Sequence, residues 1–144
     1  MRALGIDFGE RRIGLAISDP AGGYALPWKV LERSSDRAAV ETIAALAAEE
    51  GVELLVIGEP RRPLDGESGA AARRARGFGA KLARRTGLEV VWVDETLTSR
   101  AAAARLGESG AARRARRERL DAVAAQILLQ EALDRRARGG GGAG

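Results

Sequence analysis

Ala3-Leu4-Gly5-Ile6-Asp7-Phe8-Gly9-Glu10-Arg11-Arg12-Ile13-Gly14-Leu15-Ala16-Ile17-Ser18-Asp19-Pro20-Ala21-Gly22-Gly23 is the stretch that decides the fold. Residues 3–8 read as a strand, residues 9–12 as a tight turn and residues 13–18 as a second strand. Asp19-Pro20-Ala21-Gly22-Gly23 is a strong turn signal. Residues 24–31 follow as a third strand, with Pro27 favouring an edge or a bend. Connections this short require antiparallel neighbours, because a parallel crossover needs a dozen or more residues.

Downstream the period changes. Ser35 can cap a helix from Asp36 to about Glu50, with Val40, Ile43, Ala44, Leu46 and Ala47 at helical spacing. Gly51 ends it, and the β-branched run Val52–Ile57 reads as a buried strand. A Gly-, Pro- and Arg-rich loop leads to a second helix over about Ser68–Thr86, stopped by Gly87. Leu88–Val93 is a further buried strand. A helical stretch over about Ser99–Leu106 precedes the Gly107–Gly110 break. The last helix is expected from near Arg117 to before Gly139, with Leu120, Val123, Ala124, Ile127, Leu128 and Leu133 as its apolar stripe. An antiparallel meander followed by right-handed βα crossovers gives a mixed five-stranded sheet with helices on both faces, a ribonuclease-H-like α/β architecture. One domain over residues 1–138 is expected, with residues 139–144 as a disordered Gly-rich tail.

The composition narrows the chemistry. The chain has 144 residues, no Cys and no His. Disulfides, Cys nucleophiles, His-ligated metals and Ser-His-Asp triads are excluded. Catalysis must run on carboxylates, hydroxyls, Lys/Arg or a metal held by oxygen. No apolar stretch reaches the ~18 residues of a membrane span and no signal-peptide pattern opens the sequence, so a cytoplasmic location without membrane association is expected. The net charge of +4 is unevenly spread: cations outnumber acids eight to two in residues 61–85 and seven to two in residues 100–119. Such segments suit a polyanion, or form a solvated Arg-rich surface.

Three acidic sites lie at the edges of apolar elements: Asp7 in the first strand, Asp94-Glu95 after the last strand, and Asp121 one turn into the last helix. Asp is depleted in strands, and glycines around Asp7 would let a ligand approach the backbone. Asp94-Glu95 sits where ligands gather in α/β sheets, at the carboxyl end of a strand; Glu95 is preferred as the metal-facing acid and Asp94 as its support. Asp121 alone would read as a helix-dipole acid. Two carboxylates ~4 Å apart repel by about 4 kcal/mol at an effective dielectric of 20, and a divalent cation reverses that sign. Hard Mg²⁺ fits such oxygen donors. Glu59 could approach Asp7 from the neighbouring strand, although a surface ion pair is its better reading.

Three motifs then fit one family. Gly5-Ile6-Asp7-Phe8-Gly9-Glu10-Arg11-Arg12-Ile13-Gly14-Leu15-Ala16, Asp94-Glu95-Thr96-Leu97-Thr98-Ser99-Arg100-Ala101 and Leu120-Asp121-Ala122-Val123-Ala124-Ala125-Gln126-Ile127-Leu128-Leu129-Gln130 resemble the YqgF family, also called RuvX or Holliday-junction-resolvase-like. Val56-Ile57-Gly58-Glu59-Pro60 with Asp65-Gly66 matches a fourth block, so the resemblance spans about residues 3–134. It implies a ribonuclease-H-like, Mg²⁺- or Mn²⁺-dependent endonuclease whose acidic positions fall on Asp7, Glu95 and Asp121. The implied biology is 5′-end maturation of pre-16S rRNA. Glu10, Glu59 and Thr96 depart from the family pattern, and Thr96 removes a cation beside the site. Arg11, Arg12, Arg61, Arg62, Thr98 and Arg100 are the candidate nucleic-acid contacts, since guanidinium binds phosphate in a fork geometry.

Two alternatives stand beside this reading. One is a resolvase of four-way DNA junctions, which would need a two-fold dimer. The other is a non-catalytic nucleic-acid-binding factor in transcription or ribosome assembly. The expected partners are structured RNA or branched DNA, with the chain a monomer or homodimer.

Overall fold

The computed structural model describes residues 1–9, 11–59, 69–94 and 111–143, of which residues 111–119 and 140–143 are described by their backbone. The described elements are β1 (Arg2–Phe8), β2 (Arg12–Ser18), β3 (Ala25–Glu32), α1 (Asp36–Glu49), β4 (Val52–Glu59), α2 (Ala70–Thr86), β5 (Glu89–Asp94) and α3 (Ala111–Ala143). The five strands form one sheet in the order β3-β2-β1-β4-β5. β1–β2 and β2–β3 are antiparallel, whereas β1–β4 and β4–β5 are parallel. This is the mixed sheet expected from the connection lengths.

Local chemistry explains the element ends. Ser35 accepts a hydrogen bond from the Ala38 N–H at 3.1 Å and caps α1. Gly87, at φ +73°, terminates α2 in the left-handed conformation that a side chain would disfavour. In the β2–β3 turn, the Asp19 carboxylate accepts from the Tyr24 and Gly23 N–H groups at 2.7 and 2.8 Å. The Tyr24 bond is the main cause that holds its pKa below the ordinary value.

The sheet buries both faces, as parallel central strands require. On one face Leu4, Ile6, Ile13, Leu15, Leu55 and Ile57 pack with α1 and α2 through Val40, Ile43, Phe78 and Leu82. On the other, Ala3, Ala16, Ala25, Leu54, Val56 and Val93 pack with α3 through Ala125, Leu128, Leu129 and Leu133. β3 is an edge strand, and α3 covers part of its backbone. Gln130 accepts from the Ala25 N–H at 2.8 Å and donates to the Gly23 carbonyl at 3.1 Å. Gln126 donates to the Ala25 carbonyl at 3.0 Å. These bonds satisfy edge groups that would otherwise invite another strand.

Several boundaries differ from the sequence reading, most of all in three elements. β3 begins at Ala25, after the turn that Asp19 closes, rather than at Tyr24, and runs through Glu32. β4 continues two residues past Ile57, because Gly58 and Glu59 still pair with Val93 and Asp94 of β5. α3 begins at Ala111, well before Arg117, and its helical backbone continues through the glycines to Ala143 rather than stopping before Gly139. Residues 111–119 are Ala, Arg and Glu, strong helix formers that need no apolar stripe to remain helical. The segment Ser99–Leu106, read as helical, lies outside the described residues.

Candidate active site

β1 alternates cleanly. Leu4, Ile6 and Phe8 belong to the α1/α2 core, Ala3 belongs to the α3 core, and Gly5 lies against Ala125 and Leu129 of α3. The two-residue period therefore places Asp7 on the α3 face, half-buried near the end of its strand. Its cross-strand neighbour in β2 is Gly14.

Gly14 is where the helix arrives. A Cβ built on it would lie 2.0 Å from the Asp121 carbonyl oxygen and 2.4 Å from its carbon. On Gly5 it would lie 2.8 Å from both the Ala125 carbonyl oxygen and the Leu129 Cβ. Glycines at these two points let α3 rest directly on strand backbone. Direct neighbours of an antiparallel pair have Cα atoms about 5 Å apart, so the helix contact at Gly14 delivers Asp121 to the neighbourhood of Asp7. The sequence reading gave the glycines around Asp7 to an approaching ligand. At Gly5 the approaching group is the protein's own helix, and at Gly9 it is the hairpin, where the Gly9 N–H donates to the Arg12 carbonyl at 2.9 Å.

Asp121 and Arg12 form an ion pair. Arg12 Nε donates to Asp121 Oδ2 at 2.7 Å, with side chains 25% and 29% exposed. A pair about a quarter exposed at each end is partly screened by solvent and contributes on the order of 1 kcal/mol to stability. Arg12 opens β2 on the same face as Gly14, two residues on, which aims its side chain at the start of the buried part of α3. Arg12 was expected to clamp phosphate; the structure engages it with a carboxylate, across 109 positions of sequence that no local pattern spans. Arg11 is exposed at the turn. The turn itself is braced from behind by Arg33, whose Nη1 donates to the Gly9 carbonyl at 3.4 Å while its guanidinium lies 4.6 Å from the centre of the Phe8 ring. Nothing in the sequence singled out Arg33.

Glu59 is drawn to the opposite side. Arg76 of α2 donates to Glu59 Oε1 through Nε at 3.1 Å and also through Nη2. Alternation agrees: Leu55 and Ile57 lie in the α1/α2 core, so Glu59 follows them and Asp7 does not. The ion-pair reading of Glu59 describes its geometry, and the approach to Asp7 does not occur. Asp94 is exposed at the end of β5, in register with Glu59. It borders a cavity of about 280 Å³ along α3, lined also by Val93, Ile127, Leu128 and Glu131. Glu95, Arg61, Arg62, Thr98 and Arg100 lie outside the described residues. Among the described residues no three acids converge on one point; two of the three candidate ligands, Asp7 and Asp121, are brought to one face. Their hard carboxylate oxygens fit a divalent cation of the Mg²⁺ class.

The comparisons agree with this architecture. Residues 1–135 match the family model described as RuvX: Holliday junction resolvase. A protein of Maridesulfovibrio salexigens is 44% identical over 135 residues, covering 94% of this chain and 99% of its own. A protein of Anaeromyxobacter sp. is 43% identical over 136 residues, covering 94% and 98%. Both bear the provisional name pre-16S rRNA nuclease. Among solved structures, Thermus thermophilus RuvC in complex with a Holliday junction substrate superposes with a TM-score of 0.62 at 16% identity, covering 95% of this chain and 96% of that one. That likeness establishes the ribonuclease-H-like fold. With a family model matched over nearly its whole length and relatives above 40% identity, the chain belongs to the RuvX (YqgF) family of nucleases.

Proposed function

We propose that this chain is a divalent-metal-dependent endonuclease that acts in 5′-end maturation of pre-16S rRNA in the cytoplasm, with Asp7, Glu95 and Asp121 holding Mg²⁺ or Mn²⁺. The observation that carries the reading is the seat of α3 on Gly14, which commits Asp121 to the face and strand end that present Asp7. Arg12 already pairs with Asp121 there, and a divalent cation would supply the further positive charge that neighbouring carboxylates favour.

When bound, a divalent cation held by Asp7, Glu95 and Asp121 would supply activation of a water and charge neutralisation at the departing oxygen. The rest falls to the chain's own residues. Asp7, on a central strand, is a rigid donor. The backbone of Asp121 lies against Gly14, which supports a fixed starting point for its side chain. Asp94 supports its neighbour Glu95 from the end of β5. Arg11, at the hairpin tip, orients the phosphate, and Arg61, Arg62, Thr98 and Arg100 hold the flanking backbone. With aromatic residues at only 3% of the chain, base stacking contributes little and recognition runs through backbone and shape.

The test compares a 5′-extended 16S rRNA precursor with a synthetic four-way DNA junction, each with Mg²⁺, Mn²⁺ or EDTA. Metal-dependent cutting of the RNA at a defined position is expected. Asp121→Asn should lower cleavage by more than about a hundredfold, beyond what removing a residue behind a metal ligand costs, while RNA affinity stays within a few-fold. Wild-type rates in that variant would remove Asp121 from the site. Symmetric nicking of the junction alone would assign the chain to junction resolution instead. Binding without cleavage in every metal would leave a non-catalytic binding factor.

A further inference from the structure

We propose that Arg12 is an exchangeable counter-ion of Asp121: it occupies a carboxylate oxygen that the divalent cation needs, and moves to a phosphate of the nucleic acid when the cation enters. The inference rests on the metal site proposed above and adds to it a switch between two partners of one arginine.

The geometry makes Arg12 the movable member of the pair. The Asp121 backbone is held close, because its carbonyl oxygen lies only 2.0 Å from where a Gly14 Cβ would be, and its side chain is short. Arg12 is the first residue of β2 and reaches Asp121 through a long, flexible side chain. The pair is about a quarter exposed at each end, so water and ions have access and the attraction is screened. A guanidinium held 2.7 Å from Asp121 Oδ2 and a divalent cation on the same carboxylate repel each other. Arg33 cannot replace Arg12 there, since its Nε donates to Asp36 at 3.0 Å and its Nη1 to Gly9. The displaced guanidinium carries five N–H donors in the fork that fits phosphate. Nucleic acid that takes Arg12 therefore uncovers Asp121 for the cation, and the cation releases Arg12 for the nucleic acid. By linkage the two ligands strengthen each other equally.

Calorimetric titration of the full chain with Mn²⁺ alone, without nucleic acid, tests the exchange. Arg12→Met and Arg12→Gln, which remove the competing charge, should bind Mn²⁺ about fivefold more tightly than wild type, the span of an exposed ion pair. Asp121→Asn should lose most of its Mn²⁺ affinity. Unchanged or weaker binding in both Arg12 variants, with binding lost in Asp121→Asn, overturns the exchange and leaves the metal site standing. Unchanged binding in Asp121→Asn overturns the metal site itself. A reading on the unaltered protein follows the Arg12 Nε–H resonance during a Mg²⁺ titration. It should move from a hydrogen-bonded to a solvent-exposed position as the cation saturates, and a stationary signal overturns the exchange irrespective of how the variants fold.

Discussion

On the α1/α2 face of the sheet, Leu4, Ile6, Ile13, Leu15, Leu55 and Ile57 meet Ile43, Phe78 and Leu82; on the α3 face, Ala3, Gly5, Gly14 and Ala16 of the meander meet Ala125, Leu129 and the Asp121 backbone. The first contact is made by large side chains, and they hold the helices away from the strands. The second is made by residues with almost no side chain, and the helix comes down onto backbone. Most of the largest fully buried side chains lie on the thick face, and burial of such side chains is what stabilises. Positional accuracy concentrates on the thin one, where nothing flexible separates the Asp121 carbonyl from Gly14. A carboxylate that must meet Asp7 gains from the second kind of packing.

The largest loss of stability should therefore come from the face without the acids. Phe78 is fully buried and stacks on Phe8 with ring centroids 4.5 Å apart. Phe78→Ala should cost about 3–5 kcal/mol by lost burial and the cavity left behind, read as a lower denaturation midpoint. Mn²⁺ affinity of the folded fraction should remain within twofold of wild type. A loss of affinity on the scale of Asp121→Asn would mean that the thick face also positions the acids.

Gly14→Ala should invert that pattern. One methyl group would land 2.0 Å from a carbonyl oxygen, and a backbone atom cannot rotate aside. Overpacking usually costs about 1–3 kcal/mol, and this variant belongs at the upper end. Because α3 must lift to admit the methyl, Asp121 moves with it. Mn²⁺ affinity and RNA cleavage should each fall by at least about tenfold, although the fold survives. Full activity in a destabilised Gly14→Ala protein would show that the seat of α3 on β2 does not set the acid geometry.

The sequence carried the elements well because their causes are local. The two short turns, the Ser35 cap, the Gly87 stop and the β-branched run before Gly58 each act within a few residues, and the structure follows them. The face of Asp7 follows from simple alternation. What could not be read are contacts between distant segments. The meaning of Gly14 depends on a helix that arrives more than 100 residues later. The same holds for Arg12, whose carboxylate partner is Asp121. Gly5 and Arg12 are assigned to a ligand by the sequence reading, and Gly14 is given no partner, because no pattern in the meander points to α3. The start of α3 was missed for a different reason: residues 111–119 show no apolar period, and propensity alone sustains a helix there.

Charge shows the same limit and yields the smallest effect. The basic run of residues 61–85 read as a polyanion surface, yet in α2 three of its cations meet acids of the same face: Arg76 with Glu59, Lys81 with Asp36 at 3.7 Å, and Arg85 with Glu41 at 2.6 Å. Arg85 and Glu41 are 56% and 54% exposed, so their pair is nearly neutral energetically. Arg85→Ala should change stability by less than about 0.5 kcal/mol. If nucleic acid lies along the α3 face and the hairpin tip, RNA affinity should stay within twofold and its salt dependence should not change. A cation that contacts phosphate behaves otherwise: its removal weakens binding across all sequences and lowers the salt slope by about one. That outcome for Arg85 would carry the nucleic acid over to the thick face. The Asp7–Asp121 end would then engage a strand that wraps around the sheet, and the division between a stabilising face and a binding face would fail.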